Sequence, residues 1–240
     1  MSLDIFLIVV VTSVIQSIFG VGVLLFGTPI LLALGYDFIN AIIILLPISL
    51  TINILQATKD YKKIDFKFYK KIILYAVPFI VFFLFIVATS EIRIEPIVGV
   101  FLLLIAIKEY SPKLNYYMES IIQHEKIFLI IMGGIHGVTN LGGSLLTAII
   151  HGKKYEKNVA RATVAISYAT FAFFQLVTLL FVIKKSEVDF IGISYCLSLG
   201  IIVFMITEVT IYMEINNKRY NKLFSMFLFG SGVLLCIKSI

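Results

Sequence analysis

Charged side chains interrupt this sequence so rarely that the apolar stretches between them define its elements. Charge-free runs cover 5–36, 38–58, 72–90, 96–107, 127–152, 162–183, 190–207 and 223–237. A hydrocarbon layer about 30 Å thick takes roughly 20 apolar residues of helix rising 1.5 Å each, so most of these runs match a bilayer crossing. A β-barrel would instead show segments of about 10 residues alternating in polarity, and no such alternation occurs. The pattern predicts an all-α polytopic membrane protein. Met1-Ser2-Leu3-Asp4 lacks the basic region and cleavage site of a signal peptide, so the first run is expected to stay in the mature protein.

Two runs differ from the rest. The stretch 5–36, as one straight helix, would measure about 48 Å, so it must bend or fold back. Gly20 and Gly22 supply permissive backbone for a break, and Pro29, which lacks a donor, suits the first turn of a new helix. The stretch 127–152 carries Gly133, Gly134, Gly137, Gly142 and Gly143 around Thr139-Asn140, which predicts unwound backbone midway. The two stretches also open two similar halves. Ala41 and Ala160, like Gln56 and Gln175, are 119 residues apart, and the pairs Asp65-Phe66 and Asp189-Phe190 are 124 apart. The expected repeats are 1–118 and 119–240, each one glycine-broken re-entrant segment plus three transmembrane helices.

Composition agrees with this and removes other classes. With 60% hydrophobic residues, 14% charged residues and a mean hydropathy of +1.04, the chain cannot be a soluble enzyme. Its net charge of +6 does not mark a nucleic-acid groove, because the Lys and Arg residues sit in short loops, which is the signature of membrane topology. If 127–152 dips in and returns, the loops 59–71, 108–126, 151–161 and 214–222 share one side and hold 16 of the 20 Lys and Arg residues, leaving 4 elsewhere. Eight plain crossings would divide them far more evenly, so the positive-inside rule selects the hairpin. By analogy 5–36 is a hairpin from the opposite side, which makes the two repeats inverted. The run 96–107 is short for a crossing and needs Arg93, Glu95, Lys108 and Glu109 to reach the interfaces. Cys196 and Cys236 lie inside apolar runs and read as packing residues.

Irregular backbone at bilayer depth persists only where protein buries it or water reaches it, so the breaks are expected to meet at a shared polar cavity near the midplane. Half-helix amino termini there would offer N–H groups and partial positive charge to an anion. The expected substrate-binding residues are Gly20, Gly22, Asn53, His136, Thr139, Asn140, Gly142, Gly143, Ser144, Arg161 and Thr163, which supply glycine backbone, neutral donors and one cation. Gln16, Gln56 and Gln175 read equally as bridges between helices. Glu208 is the one carboxylate well inside an apolar stretch, either functional or snorkelling. No Walker loop, spaced metal-ligand set or nucleophilic triad is present, which argues against an enzyme.

The segments Ile18-Phe19-Gly20-Val21-Gly22-Val23-Leu24-Leu25-Phe26-Gly27-Thr28-Pro29 and Gly133-Gly134-Ile135-His136-Gly137-Val138-Thr139-Asn140-Leu141-Gly142-Gly143-Ser144, with Ala160-Arg161-Ala162-Thr163, resemble those of the sulfite exporter TauE/SafE family of permeases. The resemblance implies a multi-pass carrier of the bacterial cytoplasmic membrane that exports a small sulfur-containing anion, such as sulfite or an organosulfonate. It implies no cofactor, no metal and no nucleic acid, names the lipid bilayer and a small anion as partners, and leaves a homo-oligomer open. The competing expectations are an anion channel or a non-transporting scaffold.

The lysine count carries a topological prediction. In a chain freed of Cys196 and Cys236, single cysteines at Lys62 and Lys154 resist an impermeant thiol reagent outside intact cells, and one at Glu91 reacts. Outside labelling at position 154 would restore eight plain crossings.

Overall fold

The computed structural model describes residues 2–19, 21–90, 92–108, 111, 123–153, 155–182 and 189–211, and these are helical with no strand among them. The run 223–237 and Cys236 lie outside the described residues. In chain order the helices are α1 (Leu3–Phe19), α2 (Val23–Leu34), α3 (Phe38–Lys59), α4 (Phe66–Tyr75), α5 (Val77–Thr89), α6 (Glu95–Lys108), α7 (Glu125–Thr139), α8 (Gly143–Gly152), α9 (Lys157–Val182) and α10 (Phe190–Ile211). Among the described residues, four stretches are long and apolar enough to cross a membrane: α3, the continuous α4–α5 unit, α9 and α10. At 14 residues, α6 measures about 21 Å and falls short of that length.

Both glycine-rich runs are broken helices that turn back. In the first, α1 ends at Phe19 and α2 begins at Val23. Gly35, in the left-handed region at φ 94, stops α2: its N–H bonds to Leu32 O and that of Tyr36 to Leu31 O, a Schellman pattern. The Tyr36 hydroxyl then meets Ser2 Oγ at 2.5 Å and donates to Asp4 at 3.4 Å, so the end of α2 returns to the start of α1. In the second run, Lys153 just past α8 pairs with Glu125, the first residue of α7. Two expectations need correction here. Pro29 is the seventh residue of α2 rather than in its first turn. Gly133, Gly134 and Gly137 lie inside the intact helix α7, and only 140–142 is irregular.

The core pair is α3 against α9. Asp37 caps α3 by accepting from the N–H groups of Ile39 and Asn40. Lys59 at the far end of α3 shares Glu208 with Arg161 of α9, and Asp65 N–H donates to Thr163, so α9 starts where α3 ends. Around this pair the helices exchange partners between the two stretches of sequence: α1 packs on α10, and α7 on α5. Apolar side chains cover the outside. Leu3, Leu7 and Val11 form an exposed i, i+4, i+8 stripe on α1, and Ile202, Met205 and Val209 an exposed i, i+3, i+7 stripe on α10, as lipid-facing helices require.

The glycines of α7 are explained by its contact with α5. A β-carbon at Gly133 would lie 2.4 Å from Ala76 O, and one at Gly137 would lie 2.7 Å from Ile80 O. These two small residues, four apart, let one helix backbone rest on the next. Gly134 meets a side chain of α5 rather than its backbone, the nearest atom being in the Phe83 ring at 3.3 Å. The matched pair Gly133→Ala and Gly134→Ala therefore separates packing from propensity. Gly133→Ala lowers the melting temperature of the purified protein by about 2–10 °C through overpacking. Gly134→Ala falls by less or rises, and equal losses in both would contradict the backbone contact.

Candidate functional site

Each break is sealed by a side chain from the helix before it. At the first, Gln16 Oε1 accepts from the Val23 N–H at 2.8 Å, capping the amino terminus of α2. At the second, His136 Nδ1 accepts from the Gly142 N–H at 3.1 Å, and Thr139 Oγ1 accepts from the Leu141 N–H at 3.2 Å. Gln16 and Val23 stand 120 and 119 residues before His136 and Gly142, and both caps use a side-chain acceptor from the preceding helix. The breaking residues are held by fit. Gly22 has extended backbone at φ −172, and what it supplies is room: a β-carbon would lie 2.5 Å from Gln16 N and 2.8 Å from Thr12 O. Gly142 abuts the His136 side chain, where a β-carbon would fall 2.5 Å from its Cβ. The left-handed position is Asn140, at φ 60, a conformation asparagine tolerates, and it closes α7 by donating its N–H to His136 O at 2.8 Å.

The second break docks on the first hairpin. Asn140 Nδ2 donates to Thr28 Oγ1 of α2 at 2.9 Å, and Asn140 Oδ1 accepts from Gln175 Nε2 of α9 at 3.2 Å. At the first break, Gln56 Nε2 of α3 donates to Gln16 O at 3.3 Å. The two breaks are offset along the bundle. Thr28 is five residues, about 8 Å, along α2 from Val23, and Gln56 lies one turn from the Lys59 end of the bundle. The polar groups are thus staggered along the depth. All of Gln16, Gln56, Thr28, His136, Asn140 and Gln175 are at most 2% exposed.

The remaining expected residues divide between this region and the lysine-rich end. Gly20 lies outside the described residues. Ser144 Oγ donates to Leu141 O in the first turn of α8, and Asn53 Nδ2 donates to Ser49 Oγ one turn from Gln56. Gly143 makes room for Tyr168, whose hydroxyl occupies the place a β-carbon would take, at 1.2 Å. Tyr168 and Phe171 pack on the His136 ring, with centroids 5.9 and 5.1 Å away. Arg161 and Thr163 are elsewhere, since Arg161 binds Glu208 at 2.7 Å and Thr163 accepts from the Asp65 N–H at 3.0 Å. Thr28 and Tyr168 escape a sequence reading because nothing marks one buried hydroxyl in an apolar helix. Gln16, Gln56 and Gln175 were legible as polar residues in apolar runs, and their roles depend on what they face. A recess of about 460 Å³ between α5, α6 and α7, lined by Phe79, Phe83, Phe101 and Ile131, is a lipid-facing groove. Its one hydroxyl, Thr139, already donates to Ile135 O.

Ion pairs gather at the lysine-rich end. Glu125 lies between Lys71, at 2.5 Å, and Lys153, and hydrogen bonds from Lys153 and then Lys71 hold its carboxyl below the usual range. Asp65 is opposed by burial, but the Tyr155 hydroxyl at 2.5 Å, backbone N–H groups including that of Phe68 and the charge of Lys153 outweigh it, so its carboxyl is also held low.

The protein-family model described as sulfite exporter TauE/SafE matches residues 5–235 of the chain. No curated protein and no solved structure matches it.

The depressed carboxylates predict an acid limb of stability. A group whose folded pKa lies below its unfolded value stabilises the fold above the ordinary carboxylate pKa of about 4, and that contribution is lost as pH falls through the folded value. The melting temperature of the purified protein is expected to decline on acidification below that point, and Glu125→Gln to flatten the decline while costing stability at neutral pH. An unchanged acid limb in Glu125→Gln would remove Glu125 from this role.

Proposed function

The chain belongs to the sulfite exporter TauE/SafE family, and from that premise we propose that it is a secondary carrier exporting a small sulfur-containing anion, such as sulfite or an organosulfonate, across the bacterial cytoplasmic membrane. The observation that carries the reading is the bridge from Asn140 to Thr28, which ties the break of one half to the hairpin of the other inside a fully buried polar set. Broken helices whose irregular backbone is sealed by side chains are where membrane carriers hold substrates and coupling ions. Two inverted repeats fit the arrangement: α1 leans on α10 as α7 leans on α5, each a pairing across the two halves. Transport then follows from one hairpin moving against the other. Both α7 and α8 would shift relative to α2, breaking the Asn140–Thr28 bond and opening the buried groups to one side at a time.

Export of an anion needs no coupling ion, since an inside-negative potential already drives it at about 2.3 kcal/mol per charge per 100 mV. The membrane-embedded His136 then serves as a neutral hydrogen-bonding group, and Glu208 as the partner of Arg161 and Lys59. The same burial favours a carrier over an open channel, since the polar groups at the breaks are closed off from either side.

Proteoliposomes loaded with sulfite test the proposal. Efflux is expected to saturate, to show counterflow and to speed up under an imposed inside-negative potential. Asn140→Gly keeps the left-handed backbone open and deletes only the side chain. It should cut flux about ten-fold or more while the protein still purifies folded. Flux linear in concentration without counterflow would mark a channel, and no flux of any small oxyanion a scaffold.

A further inference from the structure

We infer that each break carries a small subsite built from one hydrogen-bond donor and one acceptor, and that these two equivalent subsites recognise an oxyanion still bearing a hydroxyl proton, hydrogen sulfite being the sulfur example, over its fully ionised form. The inference rests on the breaks being the substrate path as proposed above.

Four buried polar atoms around the breaks have no hydrogen-bond partner among the described residues: Gln16 Nε2, Gln56 Oε1, His136 Nε2 and Gln175 Oε1. They fall into matching pairs. Gln16 and Gln56 touch at the first break through the bond from Gln56 Nε2 to Gln16 O, and at the second Gln175 Oε1 faces His136 Nε2 in a contact too loose for a formed hydrogen bond, so a ligand would enter between a donor and an acceptor already turned toward each other. Gln16 matches His136 at an offset of 120, and Gln56 matches Gln175 at 119.

What each atom can do is fixed by its other bond. Gln16 Oε1 faces an N–H, so the free end of that amide is a donor. His136 Nδ1 likewise accepts from Gly142, which makes the ring neutral and puts its proton on Nε2, a donor. Gln56 turns its nitrogen to a carbonyl, leaving Oε1 as an acceptor. Gln175 turns its nitrogen to Asn140 Oδ1, since Asn140 spends its own nitrogen on Thr28, and again Oε1 is the acceptor. Asn53 Oδ1, one turn from Gln56, is a further acceptor without a partner among the described residues.

Charge points the same way. No lysine or arginine lies in α1, α2 or α8, and the buried Arg161 is engaged by Glu208. A dianion brought into such surroundings would lose its hydration with no cation to replace it, and its bare oxygens would face the glutamine carbonyls. A monoanion with one O–H satisfies both atoms of a pair, accepting from the donor and donating to the acceptor. The substrate then carries its own proton through, so each turnover moves one negative charge.

Isothermal titration of the purified full-length protein with sulfite, methanesulfonate and sulfate, above and below the second ionisation of sulfite, decides this. Methanesulfonate matches hydrogen sulfite in charge but lacks the O–H, and its own ionisation is constant, so any trend it shows reports the protein rather than the ligand. The charged residues of the surrounding helices lie toward their ends, Asp4 and Asp37 at one end of the bundle and Lys59, Arg161 and Glu208 at the other. Hydrogen sulfite is expected to bind about ten-fold or more tightly than methanesulfonate, because a site built for a hydroxyl penalises its absence. Affinity for total sulfite should fall as the dianion takes over, and sulfate should bind weakest. Gln56→Leu and Gln175→Leu should each reduce the preference, and the double variant should abolish it. Methanesulfonate binding as tightly as hydrogen sulfite, or sulfite binding that tightens as it ionises, would overturn the inference while leaving the breaks as the substrate path. Failure of all three anions to bind would overturn both. The wild-type comparison is decisive alone should a variant not fold.

Discussion

A helix interrupted inside an apolar layer exposes N–H and C=O groups that water cannot reach, at a cost of several kcal/mol for each left alone. The rest of this structure depends on how that cost is met. Gln16 and His136, one on the helix leading into each break, turn a side-chain acceptor onto an N–H at the start of the helix beyond it. Those bonds draw the chain tightly back on itself, which is why Gly22 cannot carry a side chain against Gln16 and Thr12, nor Gly142 against His136. They also hold each hairpin closed at its tip. The open ends are tied separately, by Tyr36 to Ser2 and Asp4 in one hairpin and by Lys153 to Glu125 in the other.

Once the tips are sealed, the packing around them follows from shape. Two short helices per hairpin cannot bury themselves, so the longer arms, α1 and α7, each take a full-length helix from the other half, α10 and α5. The contact of α7 is the closer, backbone on backbone at Gly133 and Gly137. Between these flanks, α3 and α9 form the invariant middle, pinned at one end by the Arg161–Glu208–Lys59 cluster. A bundle assembled in this way has rigid outer pairs and one lightly held polar contact between its hairpins, Asn140 to Thr28. Motion is easiest where a single hydrogen bond, rather than interlocked backbone, joins two bodies.

Much of this was legible in the sequence, for reasons that can be traced. The charge-free runs locate the helices because lipid tolerates so few charges, and an apolar run too long for one crossing forces a fold-back whatever its residues. Gln56 and Gln175, polar residues inside apolar runs, each reach a break, Gln56 through Gln16 O and Gln175 through Asn140. Glycine, however, is ambiguous. The same residue type opens the chain at Gly22 and Gly142 and cements α7 to α5 at Gly133 and Gly137, and only the neighbouring helix distinguishes the two uses. Depth was also beyond reach. That the breaks are staggered, with the second set against Thr28 rather than level with Gly22, depends on how far each hairpin inserts, and no local pattern encodes that distance. Arg161 illustrates a third limit: a lone cation beside an apolar run reads as a ligand for an anion until Glu208, 47 residues later, is found to hold it.

That pairing does not neutralise the lysine-rich end. Glu208 serves both Arg161 and Lys59, and Glu125 serves both Lys71 and Lys153, so each carboxylate is shared between two cations at a face rich in lysine. Two such triads anchor helices α3, α4, α7, α9 and α10 at one face while keeping it cationic. An anion following the proposed route would meet an attractive field at that face before the neutral groups of the nearer break, where Gln16 and Gln56 lie one turn inside Lys59. The division of labour is physically sensible. Fixed charge is placed where water can screen it and where it attracts without trapping, whereas the buried groups are uncharged, so a bound anion gains hydrogen bonds without falling into an electrostatic well too deep to leave. On the proposed route a salt bridge further in would do the opposite, and the buried pair of Arg161 with Glu208 lies at the lysine-rich end.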